Sequence, residues 1–382
     1  MPLLPPLLAD RAARRAGSGE DRRPWPPDLR LARASLLAAA LLSSAAPPPL
    51  PAAAAAPPAL EAIALRDDPR FPEPLCRQLV ELGQITGRAD DAEGVWLLGG
   101  DTRRLARLAW TDGAPPLEVT TIRGIAPEAT LWGLAPIGRG GRRGHRGAGA
   151  AAEFWTVRDH ASLVRFSAGG EVRASEPLPF RALSAGSWDG VVTARVLPRT
   201  AEEPLLWRRT GPRRWEPFGP FRAPSAASRL ERVLGSMVAC GHASGGRRPC
   251  WLAFGEPALS LVEPGGAWRT ILLERPRGAV PRADLELAGA VPLTFQDVAV
   301  TGRGGFVVLA YEPVSPPPLP EEIAATATIL ARYTAAGKLL GAARLPEAVE
   351  MILGADHGPG EGDSRLLTAN RRIVLARGLG ER

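Results

Sequence analysis

The pair Asp159-His160 joins a carboxylate to the side chain that titrates nearest neutral pH, the combination general acid–base chemistry uses. Asp101 and Asp297 are the acids that would join it in a hydrolase or lyase site. No nucleophile stands in register with the pair, so a solvated loop is the competing reading. Arg107, Arg165 and Arg332 recur in one short phrase, and a ring of guanidiniums facing a channel would attract an anionic ligand. The same three would serve equally as ion pairs between packed units or as snorkelling side chains. Asp90, Asp91, Asp189 and Asp356 recur before glycine-containing turns, where aspartate is what a tight hairpin asks for.

Cys240 and Cys250 flank the basic, glycine-rich loop 241–249, and opposed hairpin positions come close enough for a disulfide. A metal site of Cys240, His242 and Cys250 is the alternative, with no fourth ligand at a recognisable spacing. Cys76 reads as a small buried apolar residue. Loop 138–149 carries Arg139, Arg142, Arg143, His145 and Arg146 among glycines, without an aromatic to stack a base. Segment 313–320 is polyproline-like. The chain has no Walker loop, dinucleotide fingerprint, HExxH or Gly-x-Ser-x-Gly elbow.

The elements that would position these residues repeat. Leu105-Ala106-Arg107-Leu108, Leu163-Val164-Arg165-Phe166 and Leu330-Ala331-Arg332-Tyr333 each follow an apolar run and precede a glycine turn at Gly113, Gly169-Gly170 or Gly337. Strand, loop, strand, turn, strand is a β-meander. Six strongly apolar second strands fall near residues 96, 155, 192, 251, 307 and 367, a mean spacing of about 54. One such sheet hides only part of its faces, and radial packing of several hides the rest. The pattern predicts an all-β fold, a six-bladed β-propeller of four-stranded antiparallel sheets. Five or seven blades stay open, because pattern alone sets unit boundaries loosely.

On these phrases, residues 84–378 resemble six-bladed β-propellers of the NHL-repeat kind, in exported bacterial proteins of uncharacterised type. That family repeats a first strand, an Asp/Gly turn, an apolar second strand and an Arg-aromatic hairpin. The resemblance implies a scaffold and carries no chemistry of its own. It also implies that Asp101, Asp159-His160 and the insertion 311–322 share one loop-bearing face. Gluconolactonase-like hydrolases share the outline and hold a divalent cation with Glu, Asn and Asp. Asn370 is the only asparagine here, so that set does not assemble in the usual way.

Residues 29–60 read as a secretory signal, with Arg30 and Arg33 ahead of the apolar stretch 34–46 and small residues at 52–56. The stretch is short for a bilayer, which needs about 20 apolar residues, and retention as an anchor is the competitor. The organisation expected is an N-terminal extension and signal-like segment at 1–58, a lead-in at 59–83 and the propeller at 84–382. The net charge of +7 would suggest an anionic partner, but Lys338 is the only lysine among 47 basic residues. That arginine bias reads as a GC-rich genome, since a basic surface selected for phosphate would recruit lysine too. The expectation is an exported, periplasmic or extracellular, monomeric binding or scaffold module for a protein, peptide or envelope ligand. It has no cofactor, metal or nucleic acid, and membrane contact only through a retained anchor. A hydrolase or lyase with its site at the channel mouth is the alternative.

Overall fold

Short apolar runs punctuated by turn residues give 24 strands and one helix among the described residues. The computed structural model describes residues 62–90, 93–111, 113–137, 152–188, 190–225, 236–241, 248–252, 257–263, 266–276, 295–311, 327–355, 363–377 and 379. The signal-like segment, loop 138–149, His242, the polyproline-like segment, Asp91, Asp189 and Asp356 lie outside them.

The lead-in forms β1 (Leu65–Asp67) and α1 (Glu73–Val80). Pro72 and Pro74 set the start of α1, where a missing N–H costs nothing, and the helix buries Cys76 and Leu79. The first sheet is β2 (Ile85–Asp90), β3 (Gly94–Gly99), β4 (Arg104–Ala109) and β5 (Leu117–Thr121), in that order. An eight-stranded sheet follows. Its first half is β6 (Leu131–Pro136), β7 (Glu153–Arg158), β8 (Ser162–Ser167) and β9 (Val172–Pro177). The second half is β10 (Ala182–Trp188), β11 (Val191–Val196), β12 (Leu206–Gly211) and β13 (Arg214–Pro217). As strands the halves are paired through one parallel bridge of β6 with β10, at Gly133 and Ala185. Next come β14 (Val238–Cys240), β15 (Cys250–Leu252), β16 (Ala258–Val262) and β17 (Trp268–Leu272). A further sheet holds β18 (Phe295–Val300), β19 (Phe306–Tyr311), β20 (Ala327–Tyr333) and β21 (Leu339–Arg344). The last combines β22 (Val349–Ala355), β23 (Ser364–Thr368) and β24 (Ile373–Ala376) with β1 as its outermost strand.

That closing strand pairs Leu65 with Ala376 and Asp67 with Val374. The last sheet therefore draws on chain ahead of residue 84, where the repeat pattern places the propeller's start. A sheet that combines both ends of a circular array ties the array shut.

Burial follows from position in the array. Every residue of β3, β18, β23 and β24 is buried, because both faces of these strands meet neighbouring sheets. The outer strands β9 and β17 are largely exposed. The core divides into clusters between consecutive sheets. Trp96 and Leu98 pack on Phe154 and Phe166, Trp251 and Leu259 on Val298 and Phe306, and Val307 and Leu309 on Ile352 and Leu366. Val95 and Leu97 of the first sheet share a core cluster with Leu353 and Leu367 of the last and with Leu79 of α1, so the series closes on itself.

The first strands stand innermost. An added Cβ at Gly87 of β2 would lie 2.6 Å from the Gly133 carbonyl carbon, and one at Gly241 would lie 1.9 Å from the Val298 oxygen. Arg88 of β2 reaches Asp297 of β18 and the Ile352 carbonyl of β22. Small antiparallel sheets whose first strands converge on an axis, with the last sheet packed on the first, make a β-propeller.

Candidate functional site

The loop between β7 and β8 turns through Asp159 and His160, with φ of 50° and 61°. The Ala161 N–H donates to the Arg158 carbonyl across it. Two successive left-handed residues are what a tight hairpin of the primed type requires, and Asp and His accept that region better than most residues. Their side chains are spent on the frame. Asp159 Oδ1 accepts the Thr130 N–H at 3.0 Å, just ahead of β6. His160 Nδ1 donates to the Ala182 carbonyl at 2.8 Å, at the start of β10, and its ring stacks on Trp132 at 5.3 Å.

Burial pushes the His160 pKa below its usual 6.5, and the Ala182 carbonyl opposes that shift in part. A depressed histidine pKa means that the unfolded chain binds the extra proton first. Stability from this group is complete above pH 6.5 and is lost as pH falls toward the folded-state pKa. The urea midpoint should therefore drop between pH 7 and pH 5, and His160→Gln should flatten that part of the profile. An unchanged slope in the variant would remove His160 as the cause.

Asp101 occupies the equivalent loop of the first sheet, and its Oδ1 accepts the Gln84 N–H at 3.2 Å. The candidate acids and the histidine thus hold separate seams, and Asp297 lies apart from them on the axis with Arg88. Arg107 is buried on β4, pairs with Glu93 at 3.4 Å and lies 5.6 Å over the Trp96 ring. Arg165 on β8 donates through Nε to Glu153 at 3.0 Å. Arg332 sits opposite Val307 and Gly341 in its sheet. These are third-strand positions, two strands out from the innermost, so they form no ring around the axis. Cys240 and Cys250 face each other across β14 and β15 and are joined in a disulfide, which leaves no thiolate for a metal. Cys76 is a buried free thiol whose pKa burial raises.

Two other places bring charge and aromatic surface together. On the axis, Arg88 pairs with Asp297 at 2.8 Å and with Asp90 at 3.2 Å, and Asp297 also accepts the Ile352 N–H at 2.8 Å. Arg248 donates through Nε to the Gly241 carbonyl at 3.0 Å and reaches the Ser187 carbonyl across the end of β10. Arg195 on β11 donates to Ser184 Oγ at 2.5 Å and to the Val238 carbonyl at 3.0 Å. Burial raises the Asp90 pKa, with Arg88 and Arg248 opposing it. Burial and the neighbouring Arg248 lower Arg195 to about 10.

The second place is an open groove of about 600 Å³ along the flank of β12 and β13. Phe180, Trp207 and Trp215 wall it, with Phe180 5.3 Å from Trp207 and 5.4 Å from Trp215 between ring centres. The Trp207 indole is fixed by the Pro204 carbonyl at 2.9 Å. Behind the wall, Arg209 grips Glu176 of β9 through two bonds at 2.9 and 3.0 Å and lies 4.9 Å over Trp155. Arg213 and Arg214 stand exposed at the rim. Glu203 is occupied by the Thr200 N–H at 3.3 Å, and Glu216 by Arg208.

Sequence reading named Asp297 but missed Arg88, Arg195 and Arg248. The available signal was a charge inside a strand that is otherwise buried. It missed the groove as well, because Phe180, Trp207 and Trp215 lie in three different segments.

Fold and sites define the chain as a β-propeller. No family model matches it, and no curated protein matches it by sequence. Among solved structures it is similar to an inactive virginiamycin B lyase from Staphylococcus aureus with Quinupristin, at 10% identity and a TM-score of 0.42, over 82% of this chain and 88% of that one. It is similar to YCF48 bound to D1 peptide, at 12% identity and a TM-score of 0.40, over 84% and 100% of the two chains. Saccharomyces cerevisiae Sqt1 gives 10% identity and a TM-score of 0.43, over 78% and 73%. Likeness at this level is a likeness of fold outline alone.

Proposed function

We propose that this chain is an exported, non-catalytic propeller that holds an extended acidic peptide segment of a partner protein. The observation that carries the reading is the groove walled by Phe180, Trp207 and Trp215. Rigid aromatic walls supply contact area at low entropic cost. Glu203 and Glu216 are already engaged, whereas Arg213 and Arg214 project from the rim, so the surplus charge offered to an occupant is positive. β13 is also the outermost strand of its sheet, the kind of edge an extended peptide can lie along.

Six blades are the count we favour. The eight-stranded sheet divides into two four-stranded meanders joined by one residue pair, and the apolar cluster of Trp155 and Val192 lies between them as the others lie between separate sheets. Export is supported by the signal-like segment 29–60 and by the Cys240–Cys250 disulfide, a bond that persists in oxidising compartments. The catalytic alternative gains nothing, since Asp101, Asp159, His160 and Asp297 are each tied to a different partner.

The test is binding to an array of extended peptides of graded net charge. The intact protein should select acidic sequences, and Arg213→Glu with Arg214→Glu should weaken the selected ones by about tenfold, roughly 1.4 kcal/mol. Trp207→Ala should weaken them as well. Acidic peptides bound equally by the charge-reversed variant, or no charge preference at all, would overturn the reading.

A further inference from the structure

We infer that the segment held in the groove is a polyproline II run of prolines with acidic residues at one end, gripped by ring surface and charge rather than added to the sheet as a strand. The inference rests on the acidic-peptide reading and specifies the occupant's sequence and conformation. The open edge argues against strand addition. The Phe218 N–H donates to the Leu206 carbonyl at 2.8 Å. In the antiparallel register Glu216, opposite Arg208, shares that orientation, so Trp215 and Pro217 turn their backbone groups to the open edge. Pro217 has no N–H, which leaves Trp215 as the outward donor of this four-residue strand. Short edges that carry proline are one way a sheet avoids pairing with another chain.

The wall argues for proline. Neither indole N–H is offered to the groove: Trp207 spends its own on the Pro204 carbonyl, and Trp215 Nε1 is buried. What the wall presents is ring surface. Phe180 is inclined 39° to Trp207 and 75° to Trp215, so that surface is ridged rather than flat. Aromatic grooves of this kind receive a polyproline II helix, which is stiff before it binds and so loses little entropy. Arg213 and Arg214 stand at the turn between β12 and β13, at one end of the wall. Trp207 lies four residues along β12 from Gly211 at that turn. That is about 13 Å at strand spacing, which a polyproline II helix covers in about four residues. The acidic residues therefore belong beyond one end of the proline run, over the two arginines.

The experiment titrates the intact protein, by fluorescence anisotropy, into labelled peptides of equal length. One is a proline run followed by acidic residues, one a valine–threonine run followed by the same acidic residues, and one a proline run followed by neutral residues. The acidic proline peptide should bind about tenfold more tightly than the acidic strand-forming one. Trp215→Leu, which keeps apolar bulk but removes the ring, should erase that difference. Phe180→Leu probes the same wall should the first variant fail to fold. Arg213→Glu with Arg214→Glu should weaken both acidic peptides alike. Equal binding of the two acidic peptides, or tighter binding of the strand-forming one, would overturn the proline inference and leave the acidic-peptide reading standing. A neutral proline peptide bound as tightly as the acidic one would do the reverse.

Discussion

Replacing Asp68 with alanine is expected to cost about 3–5 kcal/mol and to release the N-terminal closing strand. Asp68 and Arg365 are 2% and 4% exposed, and Arg365 Nε meets the carboxylate at 2.5 Å. The guanidinium lies 4.3 Å over Trp110, and its Nη1 is already buried without a partner. Removing the carboxylate strands a buried cation, which is the costly way to break such a pair. Asp68 Oδ1 also accepts the Arg70 N–H, and the Asp68 N–H donates to the Ile373 carbonyl, so the residue fixes the chain as it leaves β1. Urea unfolding would read the loss, and limited proteolysis would read earlier nicking near β1. Asp68→Ala combined with Arg365→Met should recover most of the stability, because paired apolar replacement of a buried ion pair is often near neutral. A single-variant cost below about 1 kcal/mol, the ordinary value for an exposed pair, would mean that the pair does not hold the closure.

Gly133→Val should be the second severe change, costing about 4 kcal/mol from a strained backbone plus an overpacked contact. Gly133 has φ of 75°, and a Cβ there would lie 2.1 Å from the Ala185 oxygen and 2.4 Å from its nitrogen. Backbone cannot swing aside as a side-chain tip can, so β6 and β10 would have to separate at the axis. Gly113→Ala serves as the comparison, since φ is 87° there but nothing lies within 4 Å of the added carbon. It should cost only the conformational part, about 1 kcal/mol. Equal midpoints for the two variants in denaturant would show that the close approach of β6 to β10 carries no weight.

Much of the fold is legible in the amino-acid sequence. Runs such as Gly94–Gly99 and Phe306–Tyr311 are apolar throughout because both faces of a second strand are covered, and composition alone displays that. The Asp159-His160 turn was placed between the right strands, since turn chemistry is local. Its side chains were not legible. An Asp-His pair carries the same letters whether it faces a substrate or, as here, pins a hairpin to the first strands beside it. The repeated arginines gave the same ambiguity, which Glu93 and Glu153 resolve for Arg107 and Arg165.

By itself the sequence determined the local grammar: short apolar strands one after another, tight turns, and units too greasy to stand alone. Only the tertiary structure decided what meets on the axis and at the seam. Arg88 lies 209 residues from Asp297, and Asp68 lies 297 residues from Arg365. Strand period and turn type fix neighbours a few residues apart. Which charges finally face one another depends on how the sheets close into a ring, and that closure is a property of all the packed faces together.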